Sequence, residues 1–322
     1  MAVSRKRVLV LRALGLGDLL TAVPALRALR RGLPGARITL AAPAVLGPLA
    51  HASGAVDDVL PVAGLESPLP RAAGPVDVAV NLHGRGPQSH RLLAASAPRE
   101  LLAFACPEAG YTGGPNWDPD EHEVARWCGL LGVFGFAADP GDLDLPAPAA
   151  ASPAPGAVVV HPGAAFAARR WPAERFAAVA AALRDGGERV VVTGGPGETA
   201  LARRVVRLAG LPESADLSGR TPLPELAALV AGARLVVCGD TGVGHLATAY
   251  RTPSVLLFGP APPARWGPPP RARHRVLWAG RHGDPHGRAP FPGLLEISAD
   301  AVIDAAATAL GAREPSLANQ DR

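Results

Sequence analysis

The chain reads as two series of short apolar runs alternating with helical segments, and this alternation confines it to a mostly parallel α/β architecture. In the first series "RVLVLRAL" (residues 7–14), "RITLAAP", "DDVLPV", "VDVAVNLHG" (76–84) and "ELLAFA" are predicted strands. Runs that stay apolar without alternating suit strands buried on both faces. Between them "DLLTAVPALRALRRGLPG" places Leu19, Val23, Leu26 and Leu29 on one helical stripe, and "HRLLAAS" is the next helix. A long loop and an amphipathic helix occupy "PEAGYTGGPNWDPDEHEVARWCGLLGVFG". The second series predicts strands "AVVVHPG", "RVVVTGG", a short "ADLSG", "LVVCGD" and "SVLLFGP". Helices "PAERFAAVAAALRDGG", "ETALARRVVRLAG", "PLPELAALVAGA", "VGHLATAYRT" and "SADAVIDAAATALGA" lie among and after them.

The Pro/Ala/Gly-rich stretch "FAADPGDLDLPAPAAASPAPG" (136–156) interrupts the pattern and is the natural boundary. Two Rossmann-like domains are expected, residues 1–150 and 151–322, with the closing helix free to pack back on the first. Ligands of open parallel sheets sit beyond the carboxyl ends of the strands, so the expected site is the cleft that the two sheets face.

Bulk properties narrow the function. The 35 prolines and 37 glycines fall mostly between periodic segments and read as loops. A net charge of +4 is too small to imply a nucleic-acid partner. Residues 1–150 carry 13 basic and 14 acidic groups and the remainder 19 and 14, so the second half is the one suited to an anionic ligand. Cys106, Cys128 and Cys238 have no metal-ligand spacing and read as buried thiols of a reducing cytoplasm. The start "MAVSRKRVLVLRALGLGDLL" is patterned like a signal peptide, but Arg12 and Asp18 interrupt the apolar run, so a first strand is expected. No stretch of 18 apolar residues lacks charge or proline, which argues against a membrane span.

The loop "LGLGDLL" after the first strand has Gly15 and Gly17, but Leu20 stands where a dinucleotide-binding turn needs its third glycine. No acid follows at the ribose position, and Asp18 at the helix start would repel a pyrophosphate. Two readings remain: a helix cap, and a carboxylate acting as a general base. In the second half, "LVVCGD" runs into "TGVGHLATA", so the amides of Thr241 to Gly244 point at an anion where a strand becomes a helix. "HPGAAFAARRW" brings Arg169 and Arg170, suited to phosphate oxygens. "TGGPGE" adds Gly194, Gly195 and Glu198, and "LSGRT" adds Ser218 and Gly219. Together these describe a nucleotide-diphosphate pocket.

The ordered set "LGLGDLLTAVPAL", "HPGA…RRWPAERFAAVA", "VVVTGGPGE" and "LSGRTPLPELAALVAGARLVVCGDTGVGHLATAYRTPSVLLFGP" resembles glycosyltransferase family 9, the heptosyltransferase-type enzymes. The resemblance implies a GT-B fold and inverting, metal-independent transfer from a nucleotide-diphospho-sugar, with no cofactor. By position it makes Asp18 the base and Asp240 a contact to donor sugar hydroxyls. Thr241, Gly242 and Val243 hold the diphosphate through backbone amides, supported by His245. Arg169 matches a basic residue that neutralises the diphosphate, Arg170 is the neighbouring candidate, and Glu198 matches an acid that holds the ribose. Ala164 and Ala165 depart from the hydroxyl residues common after "HPG".

Chemistry agrees with that implication. Inverting transfer needs a base on the acceptor hydroxyl and positive groups to take up charge on the departing diphosphate. Gly17, His83 and Arg85 are the candidate acceptor contacts, with His90 and Arg91 nearby. The acceptor is a glycan, lipid-linked or small-molecule hydroxyl, and the arginines and tryptophans of residues 264–288 suggest peripheral contact with an anionic inner membrane face. The protein is expected to be a monomer. "GDLDLP" is patterned like a DxD metal motif, but its place in the proline-rich linker makes it surface. A sugar-nucleotide epimerase and a non-catalytic nucleotide-sugar binding protein are the alternative functions.

Overall fold

A computed structural model describes residues 5–66, 68–69 and 75–311. The first four residues of the signal-like start and the last eleven of the chain lie outside them. Contacts divide the chain into two compact units, Met1–Pro146 and Ala147–Arg322. The division falls inside the Pro/Ala/Gly-rich stretch.

The first unit runs β1 (Arg7–Leu11), α1 (Leu16–Thr21), α2 (Val23–Gly32), β2 (Arg37–Ala42), α3 (Gly47–Ala52), β3 (Asp58–Pro61), β4 (Val78–Asn81), α4 (Gln88–Ala94), β5 (Glu100–Leu102) and α5 (Glu123–Val133). Its strands form one sheet in the order β3-β2-β1-β4-β5, with every pairing parallel. In β1, Val8, Leu9, Val10 and Leu11 are all at most 3% exposed, as a central strand covered on both faces requires. The order reverses between β1 and β4, which makes the space beyond those two carboxyl ends the switch point of this sheet. The single helix expected after β1 is two. Pro24 has no N–H to donate to Leu20, so α1 ends at Thr21 and α2 restarts with proline in its first turn.

The second unit runs β6 (Val158–His161), α6 (Ala173–Asp185), β7 (Val190–Val192), α7 (Thr199–Leu208), α8 (Leu223–Ala231), β8 (Leu235–Gly239), α9 (Gly242–Ala249), β9 (Ser254–Phe258), α10 (Pro263–Trp266), β10 (His274–Trp278), α11 (Pro292–Leu295) and α12 (Ala299–Gly311). Its sheet is β10-β9-β8-β6-β7, again wholly parallel, with its switch point between β6 and β8. The two units are therefore different doubly wound sheets, one in the dinucleotide-domain order and the other in the flavodoxin-like order. Trp171 and Phe176, edge to face at 5.0 Å, anchor the core beneath α6. The last helix, α12, packs against α6 and strands β8, β9 and β10, burying Val302, Ala305, Ala306 and Ala309. "ADLSG" makes only an isolated bridge, Asp216 to Val192. The strand β10 lies in the basic segment where none was predicted.

Candidate active site

In the first unit the turn after β1 carries Asp18. Its Oδ2 accepts from the Gly15 N–H at 3.1 Å, closing the first turn of α1 on itself. The side chain stays 28% exposed while its surroundings are buried, and Oδ1 lies 3.8 Å from Arg12 Nη2. Burial pushes the Asp18 carboxyl above its ordinary value; Arg12 pulls it back down and Glu123 pushes it up again. The result is a carboxylate with more appetite for a proton than a surface aspartate. Capping and proton acceptance are compatible here, because Gly15 engages one oxygen only.

Arg12 and Glu123 form the support of this turn, and neither is among the residues predicted for the site. Arg12 is 1% exposed. It donates through Nε to the Asp18 carbonyl, through Nη1 to the Leu82 carbonyl, and through Nη2 to Thr21 Oγ1 at 3.0 Å and Glu123 Oε1 at 3.1 Å. Glu123 also accepts from Trp127 Nε1 at 2.8 Å and Arg126 Nε at 3.2 Å. A charge at the end of an apolar run is the one available signal, but its partner is 111 residues away.

His83 follows β4 at the same switch point. Its backbone N–H donates to Asn81 Oδ1 at 3.1 Å, while its Nδ1 is buried with no hydrogen-bond partner. Burial, aided by the Arg12 charge, pushes its imidazole down to about 4, so it is neutral at pH 7. Gly17 lies within α1, and Arg85 is exposed. His90 is buried between Asn81 and the Phe104 carbonyl, which commits it to holding its loop, while the exposed Arg91 donates through Nη2 to the Glu108 carbonyl.

In the second unit the predicted donor residues gather at the carboxyl ends of β6, β7 and β8. Arg169 ends a 3-10 turn (Ala167–Arg169), with its guanidinium 5.4 Å from the Phe166 ring centre and Nη1 3.9 Å from Asp240 Oδ2. Its Nε is buried without a hydrogen-bond partner. Arg170 differs: its Nε donates to the Ala164 carbonyl at 2.8 Å, which fixes the "HPGA" loop. The two arginines thus differ at Nε, bound to the loop in Arg170 and without a hydrogen-bond partner in Arg169. Asp240 is 8% exposed and closes β8. Thr241 is the N-cap of α9, and its hydroxyl makes no cap bond. Gly242 and Val243 occupy the first turn, where N–H groups have no intrahelical acceptor. The Val243 side chain is buried, so its amide is what it offers. Asp240, Thr241, Gly244, His245, Thr248 and Trp266 line a small pocket there, with His245 and Trp266 edge to face at 6.1 Å.

Glu198 lies under the "HPG" loop. It accepts from the Gly195 N–H at 2.8 Å and sits 3.9 Å from His161 Nε2. A Cβ on Gly163 would meet this carboxylate, so the Glu198 side chain lies close against the loop backbone there. Burial pushes His161 down while Glu198 pulls it up, with burial prevailing; Thr193 Oγ1 is 3.0 Å from its Nδ1. A Cβ on Gly194 would press on Glu198 and Ser218. Ser218 is 2% exposed and its hydroxyl donates to Asp216 Oδ1 at 2.6 Å, so that side chain is spent on the loop itself. Ala164 is buried and Ala165 exposed.

The linker motif is also placed. Asp142 pairs with Arg27 and Arg31 of α2, at 2.5 and 2.8 Å, which turns it against the first unit. Among the described residues no group of three or more His, Cys, Asp or Glu side chains is placed to hold a metal ion. All three cysteines are free and buried. No helix of the described residues is long and apolar enough to cross a membrane.

Two doubly wound parallel sheets, one with a helix start and an arginine at its switch point, define a two-unit α/β protein. The model of glycosyltransferase family 9 (heptosyltransferase) matches residues 118–288, more than half of the chain, and the chain belongs to that family. It is 35% identical over 113 residues to lipopolysaccharide heptosyltransferase 3 of Escherichia coli, covering 34% of this chain and 33% of that protein. The match thus spans about a third of the length of the curated relatives. Among solved structures, a family 9 glycosyltransferase of Veillonella parvula superposes with a TM-score of 0.79 at 23% identity, over 96% of this chain and 98% of the other. The E. coli ADP-heptose lipopolysaccharide heptosyltransferase II gives 0.76 at 21%, over 94% and 98%. The fold is that of the GT-B heptosyltransferases.

Proposed function

We propose that the protein is an inverting glycosyltransferase that moves a sugar, a heptose in the first instance, from a nucleotide-diphospho-sugar to an acceptor hydroxyl. One observation carries the reading: a carboxylate of raised proton affinity ends the switch point of the first sheet, and an arginine with an unused donor and a helix start end that of the second. The second unit is the donor domain and the first the acceptor domain. Asp18 accepts the acceptor hydroxyl proton as the oxygen attacks the anomeric carbon. The bond from that carbon to the diphosphate oxygen breaks, with inversion of configuration, and the leaving diphosphate takes the electron pair. Arg169 and the amides of Gly242 and Val243 take up the developing charge, worth several kcal/mol when such donors are preorganised, so that no metal ion is required for it. Asp240 orients sugar hydroxyls, Glu198 the ribose, and His83, Gly17 and Arg85 the acceptor.

The named donor of the E. coli structural neighbour, ADP-heptose, is the first compound to test. The lipopolysaccharide named for the relatives is the first acceptor class to test. Incubation of donor with and without acceptor, in the presence of EDTA, is expected to give acceptor-dependent ADP release and a product of inverted anomeric configuration. Isomerised donor without acceptor would instead mark an epimerase, and tight binding with no turnover a binding protein.

A further inference from the structure

Beneath the Asp18 turn lies a buried cluster that the transfer mechanism does not itself use. It holds two cations, Arg12 and Arg126, and one internal anion, Glu123. The arginines rest on tryptophan faces, Arg12 4.8 Å from the Trp127 ring centre and Arg126 4.0 Å from that of Trp117. With Glu123 alone the cluster carries one positive charge in excess; an ionised Asp18 brings it to neutrality. Arg12 is the crossing point. It ties the Asp18 and Leu82 carbonyls together, and so fixes both the base turn and the start of the His83 loop. Its Nη2 is contested by two carboxylates, Glu123 at 3.1 Å and Asp18 at 3.8 Å. Coulomb attraction falls with distance, so the nearer Glu123 holds the larger share of the guanidinium.

We propose that Arg12 and Glu123 are positioning residues for Asp18, Arg12 fixing the turn that carries the carboxylate and Glu123 diverting guanidinium charge away from it. The inference rests on Asp18 being the base. Arg12 alone would hold the turn but make the carboxylate a weak proton acceptor. Glu123 lets one arginine do the first without imposing the second. The charged groups facing Asp18 are Arg12 from the end of β1 and Glu123 from α5, with the neutral His83 after β4 against Arg12. Burial raises the Asp18 carboxyl, Arg12 lowers it and Glu123 raises it, as this division of labour requires.

The test reads Asp18 directly. In protein labelled with 13C-aspartate, the Asp18 carboxyl resonance is assigned by its loss in Asp18→Asn and followed against pH. The wild-type midpoint is expected above the ordinary aspartate value of about 3.9. Glu123→Gln, near-isosteric, is expected to lower it by roughly half to one pH unit, and Arg12→Met to raise it by about one. ADP affinity should be unchanged in both variants. A merely structural pair would not move the midpoint in opposite directions. A wild-type midpoint at or below the ordinary value overturns the proposal even if neither variant folds, and so does an unmoved midpoint in folded Glu123→Gln. Transfer from ADP-heptose by Asp18→Asn separates the two levels. Full turnover removes the base and this inference with it, whereas lost turnover with an unmoved Glu123→Gln midpoint overturns only the pairing.

Discussion

Arg169 and Arg170 are adjacent and chemically identical, yet the fold gives their Nε atoms different surroundings. Arg170 is bound to the Ala164 carbonyl, while Arg169 keeps a buried Nε without a hydrogen-bond partner beside Asp240. Arg169→Ala is therefore expected to weaken ADP binding about tenfold or more, the scale of a lost charged hydrogen bond. Arg170→Ala should act mainly on loop stability. Calorimetric titration of both variants with ADP checks this, and equal losses would contradict it. The placement of the candidate donor residues was legible because glycines, arginines and a helix start recur at strand ends. Ser218 illustrates its limit: a hydroxyl in the right loop is pointed inward by Asp216, a fact no spacing reveals. Arg12 was visible as a charge at the end of an apolar run, but its partner Glu123 lies on α5 and only the fold joins them.

At the scale of elements, the strands of the two sheets could be read almost throughout because parallel central strands are uniformly apolar. β10 escaped because its run, His274–Trp278, mixes a buried histidine with an exposed arginine. The break between α1 and α2 was missed because the apolar stripe continues across Pro24 and only the missing N–H interrupts it. The linker, read as a plain surface segment, is strapped to α2. Arg27 donates to the Asp142 carbonyl at 3.0 Å, to the Asp144 carbonyl at 2.7 Å and to the Ser53 carbonyl at 2.9 Å, besides pairing with Asp142. Arg27→Ala should destabilise the first unit by about 1–3 kcal/mol, because several part-buried acceptors lose their donor together. It should also expose residues 139–146 to proteolysis. Urea unfolding and limited digestion measure both; wild-type values in each would show that the strap is idle.

For the whole molecule, each unit carries a half-buried or buried histidine that resists protonation. His83 and His274 are both pushed down to about 4 by burial, with neighbouring arginines adding to it. An unfolded histidine titrates near 6.5. Between about pH 6.5 and 4 the unfolded chain binds protons that the folded one refuses, so stability must fall as pH is lowered through that window. Each group steepens the slope by at most about 1.4 kcal/mol per pH unit. Asp18, an acid whose carboxyl is raised, has the opposite sign and offsets part of this at the acid end. The melting temperature is expected to drop from pH 7 to pH 5, and His274→Asn to flatten that drop; a flat wild-type profile would contradict it. The division of labour between units has one most direct test, the transfer rate and ADP affinity of Asp18→Asn measured side by side. Loss of the proposed base should cost roughly 10²- to 10⁴-fold in turnover of ADP-heptose, with ADP affinity unchanged because the proposed donor residues belong to the other unit. Turnover at the wild-type rate, or a matching collapse of ADP binding, would contradict it.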